Sequence, residues 1–88
     1  MPANLIRSAA YEAQLMEVIS DRTMLKIEAA EDNLATFPDM GSPLVRNSLV
    51  ARFGPNLRKI VVDGYVLIYR HDSDAVRMLA ALPGKTVG

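Results

Sequence analysis

The chain has 88 residues, half of them apolar, with no cysteine and a formal net charge of zero. That length suits one small domain, 1–88, able to bury about 60–65% of its unfolded surface, and the apolar content excludes a disordered chain. The lack of cysteine excludes a disulfide framework, a thiol nucleophile and a Cys-ligated zinc, and it suits a reducing cytoplasm. The charge is polarised all the same. Residues 1–43 carry seven acidic and three basic side chains, a balance of −4, and residues 44–88 carry three acidic and seven basic, a balance of +4. A basic second half points to an acidic partner or a nucleic acid, or to charges that are merely solvated, while the neutral total argues against strong non-specific nucleic-acid binding.

The start, MPANLIRSAAYEAQ, lacks the apolar core of a signal peptide, and no run approaches a membrane span, so a soluble, unexported protein without membrane contact is expected. Asn4 to Arg7 reads as a short first strand, with Ser8 as the N-cap of a helix whose apolar face is Tyr11, Leu15, Val18 and Ile19. SDRT at 20–23 interrupts that pattern and caps a second helix with the stripe Ile27, Ala30, Leu34 and Phe37. Pro38 ends it, and Gly41 and Pro43 mark a turn. The two helices read as a hairpin with an apolar inner seam and an acidic outer face. Residues 44–56 are the least legible part and read as a long loop ending at Gly54-Pro55.

The remainder is strand-like. Leu57 to Val62 is joined to Tyr65–Arg70 by Asp63-Gly64, the signal of a two-residue turn that needs positive φ at both positions. HDSD at 71–74 is a polar turn into a third strand, Ala75–Leu82, closed by Pro83-Gly84, which completes an antiparallel meander. The class is therefore α+β: an N-terminal helical hairpin packed on a small antiparallel sheet.

In the central strand, Tyr65, Leu67 and Tyr69 point to one face and Val66, Ile68 and Arg70 to the other. The first set is expected to pack on the helices. The second leaves two readings open: a surface covered by a partner, or one that meets the 44–56 segment.

No pattern for a metal, a cofactor or a catalytic nucleophile is present. His71, the only histidine, falls in a turn, HDSD lacks the ligand spacing of a calcium loop, and Asp72 and Asp74 read as turn formers. Gly54-Pro55 is isolated, without the context of a phosphate loop. Arg58, Lys59, Arg70 and Arg77 have the chemistry to hold a phosphate, and Tyr65 or Tyr69 to stack on a base, though core packing accounts better for the tyrosines.

Three stretches together are familiar. They are Ser8 followed by Leu15, Val18 and Ile19, then LATFPDMG from Leu34 to Gly41, then LRKIVVDGYVLIYR from Leu57 to Arg70. In order and spacing the chain resembles the RelE/ParE superfamily of bacterial toxin–antitoxin toxins, closer to the ParE branch, over nearly its whole length. Two departures stand out. The end reads ALPGKT, with Pro83 where the ParE branch often has histidine and no final Arg-Asp. Val66 stands where RelE-like ribonucleases place an arginine, and Lys85 alone echoes their C-terminal basic residue.

The resemblance implies a fold of this α+β kind and a toxin that inhibits DNA gyrase without being an enzyme. It also implies neutralisation, in a hetero-oligomer, by a cognate antitoxin with a DNA-binding N-terminal domain and an acidic tail. Direct sequence-specific nucleic-acid binding is not implied. The partner-binding residues expected on this reading are Arg58, Val66, Ile68, Arg70, Arg77 and Lys85. The alternatives are a RelE-like mRNA endonuclease acting on the ribosome and a degenerate module that binds an antitoxin but poisons nothing.

Overall fold

A computed structural model describes residues 3–73 and 75–84. In chain order these form β1 (Asn4–Arg7), α1 (Ala9–Leu15), α2 (Asp21–Thr36), α3 (Asn47–Phe53), β2 (Leu57–Val62), β3 (Tyr65–Asp72) and β4 (Ala75–Pro83). The four strands make one sheet in the order β1-β4-β3-β2. Its β2–β3–β4 part is the antiparallel meander expected from the turns. The sheet as a whole is mixed, because β1 lies parallel to β4 with Asn4 opposite Ala75 and Arg7 opposite Met78. Turn chemistry fixes the direction of strands joined by hairpins. It says nothing about a four-residue strand that leaves the sheet into helices.

Both helix starts are capped as the sequence indicates. The Ser8 hydroxyl accepts from the Tyr11 amide at 3.1 Å and the Ser20 hydroxyl from the Thr23 amide at 3.3 Å. α1 is short and ends at Leu15, so Val18 is only partly buried and Ile19, assigned above to the inner face, is 96% exposed. Phe37, read as the last member of the α2 stripe, is the C-cap of that helix and is 65% exposed. The backbone has left helical geometry at that residue, with φ −126° and ψ 76°, ahead of Pro38, so the 3.6-residue period no longer aims its side chain.

Tyr11, Leu15, Ile27, Ala30 and Leu34 pack on Leu67, Tyr69, Val76, Met78 and Ala81, with Tyr65 at the margin. This is the helical-hairpin face of the sheet. The acidic helix surface has one exception: Glu31 is 5% exposed and turns inward. Its carboxylate accepts two bonds from Arg7, Nε to Oε2 at 3.0 Å and Nη2 to Oε1 at 2.5 Å, and a third from the Tyr11 hydroxyl at 2.8 Å. Burial and the adjacent carboxylate push the Tyr11 phenol far above its ordinary pKa.

The opposite face of the sheet is also covered. Leu57, Val66, Ile68 and Ala80 form a second buried cluster beneath Val45, Leu49, Val50 and Phe53. The segment 44–56 is therefore not a plain loop, since it contains α3. A one-residue irregularity, with Ile68 opposite Ala80 but Tyr69 opposite Met78, keeps Ala80 in this cluster and Met78 in the other.

Candidate partner-binding site

Three basic residues of the second half, Arg58, Arg70 and Arg77, lie toward the end of the sheet where β3 turns into β4. Arg70 is opposite Leu57 on one side and Arg77 on the other, and directly opposed residues share a face, so Arg70 and Arg77 both project on the α3 side. Two guanidinium groups so placed repel each other unless a carboxylate stands between them. Asp72 is that group: its Oδ1 lies 3.5 Å from Arg70 Nε and its Oδ2 accepts from Arg77 Nε at 3.0 Å. The Arg77 side chain remains about half exposed. Arg70 also donates through Nη1 to the Phe53 carbonyl at 3.2 Å, placing a cation at the negative end of α3. Arg52, in the last turn of α3, lies over the Phe53 ring with its guanidinium carbon 5.2 Å from the centroid.

Arg58 is on the other face, opposite Tyr69. Its Nη1 donates to the carbonyls of Asp39 at 3.1 Å and Gly41 at 2.7 Å, and its Nε is 3.7 Å from the Asp39 carboxylate. Tyr69, fully buried, holds the same turn: its hydroxyl donates to the Pro38 carbonyl at 2.8 Å and accepts from the Gly41 amide at 2.9 Å. Burial raises the pKa of this phenol, against the Gly41 amide and the Arg58 charge, which lower it. The stretches LATFPDMG and LRKIVVDGYVLIYR thus lock onto each other through Tyr69, Arg58, Pro38 and Gly41. His71 Nδ1 reaches Asp39 Oδ1 at 3.2 Å, and the two line an open cleft of about 270 Å³ with Arg58, Leu57, Asn56 and Pro43.

The expected site residues therefore divide. Arg70 and Arg77 come together on one face, and Arg58 stands on the other. Val66 and Ile68, read as members of a possible open face, are 7% and 0% exposed. The second reading of that face holds, because α3 and Val45 cover it. Lys85 lies outside the described residues. Arg52 and Asp39 belong to this end of the molecule although sequence reasoning passed over both. Arg52 was hidden in a segment read as loop, and Asp39 acts through a turn whose fold depends on Tyr69. Among the described residues, no cluster of three or more His, Asp or Glu side chains is placed to hold a metal ion, and no helix is long and apolar enough to cross a membrane.

No curated protein matches the chain. The family model described as "ParE toxin of type II toxin-antitoxin system, parDE" matches residues 5–86, which takes in every strand and helix named above except Asn4, the first residue of β1. With that match, the chain belongs to the ParE toxin family of type II toxin–antitoxin systems.

Proposed function

We propose that this toxin acts by protein–protein contact on DNA gyrase and that a cognate antitoxin with an acidic segment neutralises it. Family membership supports a toxin with an antitoxin partner. The observation that carries the choice of contact is the Arg70–Asp72–Arg77 cluster, two guanidinium groups sharing one carboxylate at the end of the sheet. Among the described residues Asp72 is the carboxylate that both guanidinium groups share, and arginine is favoured at interface hot spots because its planar fork takes a carboxylate bidentately. An acidic partner segment would complete the neutralisation, adding association rate and specificity.

A supercoiling assay with purified toxin tests the target. Loss of gyrase supercoiling with rising toxin, relieved about tenfold or more by Arg77→Ala as expected for a hot-spot arginine, supports the proposal. Unchanged supercoiling at micromolar toxin rejects gyrase as the target. The endonuclease reading has one observation in its favour, the cleft that brings His71 beside Arg58 and Asp39. Against it, the position of the family arginine is Val66, which lies buried beneath α3. Ribosome-dependent cuts in translated messages, seen by primer extension after induction, would reverse the order of the two.

A further inference from the structure

We infer that the chain associates with itself head to tail, the acidic helix layer of one copy against the basic α3 side of the next. Such a contact goes beyond the toxin's target and does not depend on it.

The fold turns the charge polarity of the sequence into two faces on opposite sides of the sheet. In the segment 9–36, Glu12, Glu17, Asp21, Glu28 and Asp32 are exposed against Arg22 and Lys26, five carboxylates to two cations, a balance of −3. Glu31 is neutralised by Arg7 and leaves that balance as it is. On the other side of the sheet, Lys59, opposite Ile68, joins Arg70 and Arg77, and Arg52 is exposed on α3 itself. Their one shared carboxylate is Asp72, so these residues together carry +3.

Each face also exposes apolar side chains beside its charges. On the helix layer Met16 and Ile19, 87% and 96% exposed, flank Glu17 in the connection between α1 and α2. On the basic side Ile6 lies opposite Arg77 at the β1 edge, and Val61 shares a face with Lys59 on β2, both of them exposed. Apolar surface that water now covers is a marker of a contact site. Opposite charges of equal count make the two faces complementary to each other, which steers encounter and sets orientation. The zero net charge removes the general repulsion that keeps copies of a charged protein apart.

The contact has a direction. A pair formed through the same face of both copies would set like charges together. Because the two faces lie on opposite sides of the sheet, one neighbour cannot meet both, and each contact leaves an acidic face free at one end and a basic face free at the other. Unlike faces joined in this way continue into a ring or an open chain. The basic face is also where the Arg70–Asp72–Arg77 cluster offers itself to an acidic partner, so such a partner and a second copy compete for it.

Sedimentation of the full-length chain tests this at about 20 mM salt, where screening sets in only beyond about 20 Å. The mean mass is expected to rise with concentration past that of a pair, and to fall back to that of the monomer at about 0.5 M salt. Two neutralising variants locate the faces: Glu17→Gln with Asp21→Asn on the helix layer, and Lys59→Gln with Arg77→Gln on the other side. Each alone should associate at least about tenfold more weakly than the parent. An equal mixture of the two should regain the parent's contact strength and stop at pairs, since each variant keeps the face that the other has lost. Where a variant melts well below the parent, Ile19→Ser and Val61→Thr, at exposed positions, take their places with the same expected outcome.

A parent that is monomeric at about 100 µM, the range in which small interfaces are populated, overturns the inference. So does a parent that halts at pairs, a variant that associates as the parent does, or a mixture no stronger than its components. A parent that stays monomeric yet takes up the acidic protein encoded beside it assigns the basic face to that partner and overturns the inference as well.

Discussion

Tyr69 carries more of the molecule than its place in an apolar strand suggests. Its ring belongs to the main core, and its hydroxyl joins the Pro38 carbonyl and the Gly41 amide. A Cβ on Gly41 would meet the Tyr69 hydroxyl and stand 2.8 Å from the Lys59 carbonyl oxygen. Close approach of two fixed groups, and not a positive φ, is what requires glycine there. Tyr69→Phe keeps the ring but strands a buried amide and a carbonyl, and is expected to lower stability by about 1–3 kcal/mol in urea unfolding. Gly41→Ala should cost at least as much, since backbone at Lys59 cannot swing aside as a flexible side chain would. If Tyr69→Phe leaves the urea midpoint unchanged, the turn is held by Arg58 alone. Single residues also mark where sequence reasoning stopped. Glu31 belongs to an acidic helix surface by count, yet it is buried, because Arg7 and Tyr11 meet it from other elements and composition cannot pair residues 20 or more apart.

At the scale of elements, the turns were the most legible feature. Asp63-Gly64 has φ of 50° and 85°, the positive pair that the dipeptide implies. Both helix caps were readable for the same reason, that they depend on residues within one turn of the chain. α3 was not, since it lacks a side-chain cap and a long apolar period, and tertiary contact with the sheet makes it a helix. The Asp63 turn is tied to α2 as well: Thr23 Oγ1 donates to Asp63 Oδ2 at 2.5 Å, and Lys26 Nζ lies 3.5 Å from Oδ1. The Thr23 bond first, and then the Lys26 charge, hold the Asp63 carboxyl below its usual pKa. A depressed carboxyl pKa contributes stability that is present above the unfolded value of about 3.9 and is lost as pH falls through the folded value. Asp63→Asn retains a residue that tolerates positive φ but cannot titrate. The stability difference between the two proteins, followed by urea unfolding from pH 6 to pH 3, should therefore shift steadily against the parent below about pH 4. A difference that stays constant over that range would show that Asp63 gains nothing from α2.

For the whole molecule, the question is whether the basic half serves the fold or a partner, and the two faces give different answers. Polarity of charge was visible in the sequence, as were three of its arginines. Their separation was not, because strand alternation places Arg58 and Arg70 relative to their own strands, and only the register of β2 against β3 shows them on opposite faces. Arg58 is spent within the chain: its guanidinium bonds two carbonyls of the turn that Tyr69 also holds. Among the described residues Arg77 bonds a carboxylate it shares with Arg70, and its side chain is about half exposed. Exposed pairs of this kind contribute about 0–1 kcal/mol. Arg58→Ala is therefore expected to lower the thermal midpoint by several degrees, the effect of about 1–2 kcal/mol in a domain of this size. Any loss of toxicity in that variant follows from the fold. Arg77→Ala should leave the midpoint within about 2 °C of the parent while weakening both antitoxin capture and toxicity, and the parent's capture should weaken as salt is raised, since a rim charge is screened. Thermal melts and pull-downs of the two variants with the neighbouring antitoxin, at low and high salt, decide it. An Arg77→Ala protein that keeps full capture and toxicity would place the contact elsewhere, and one that melts as early as Arg58→Ala would make the Arg70–Asp72–Arg77 cluster a structural clasp.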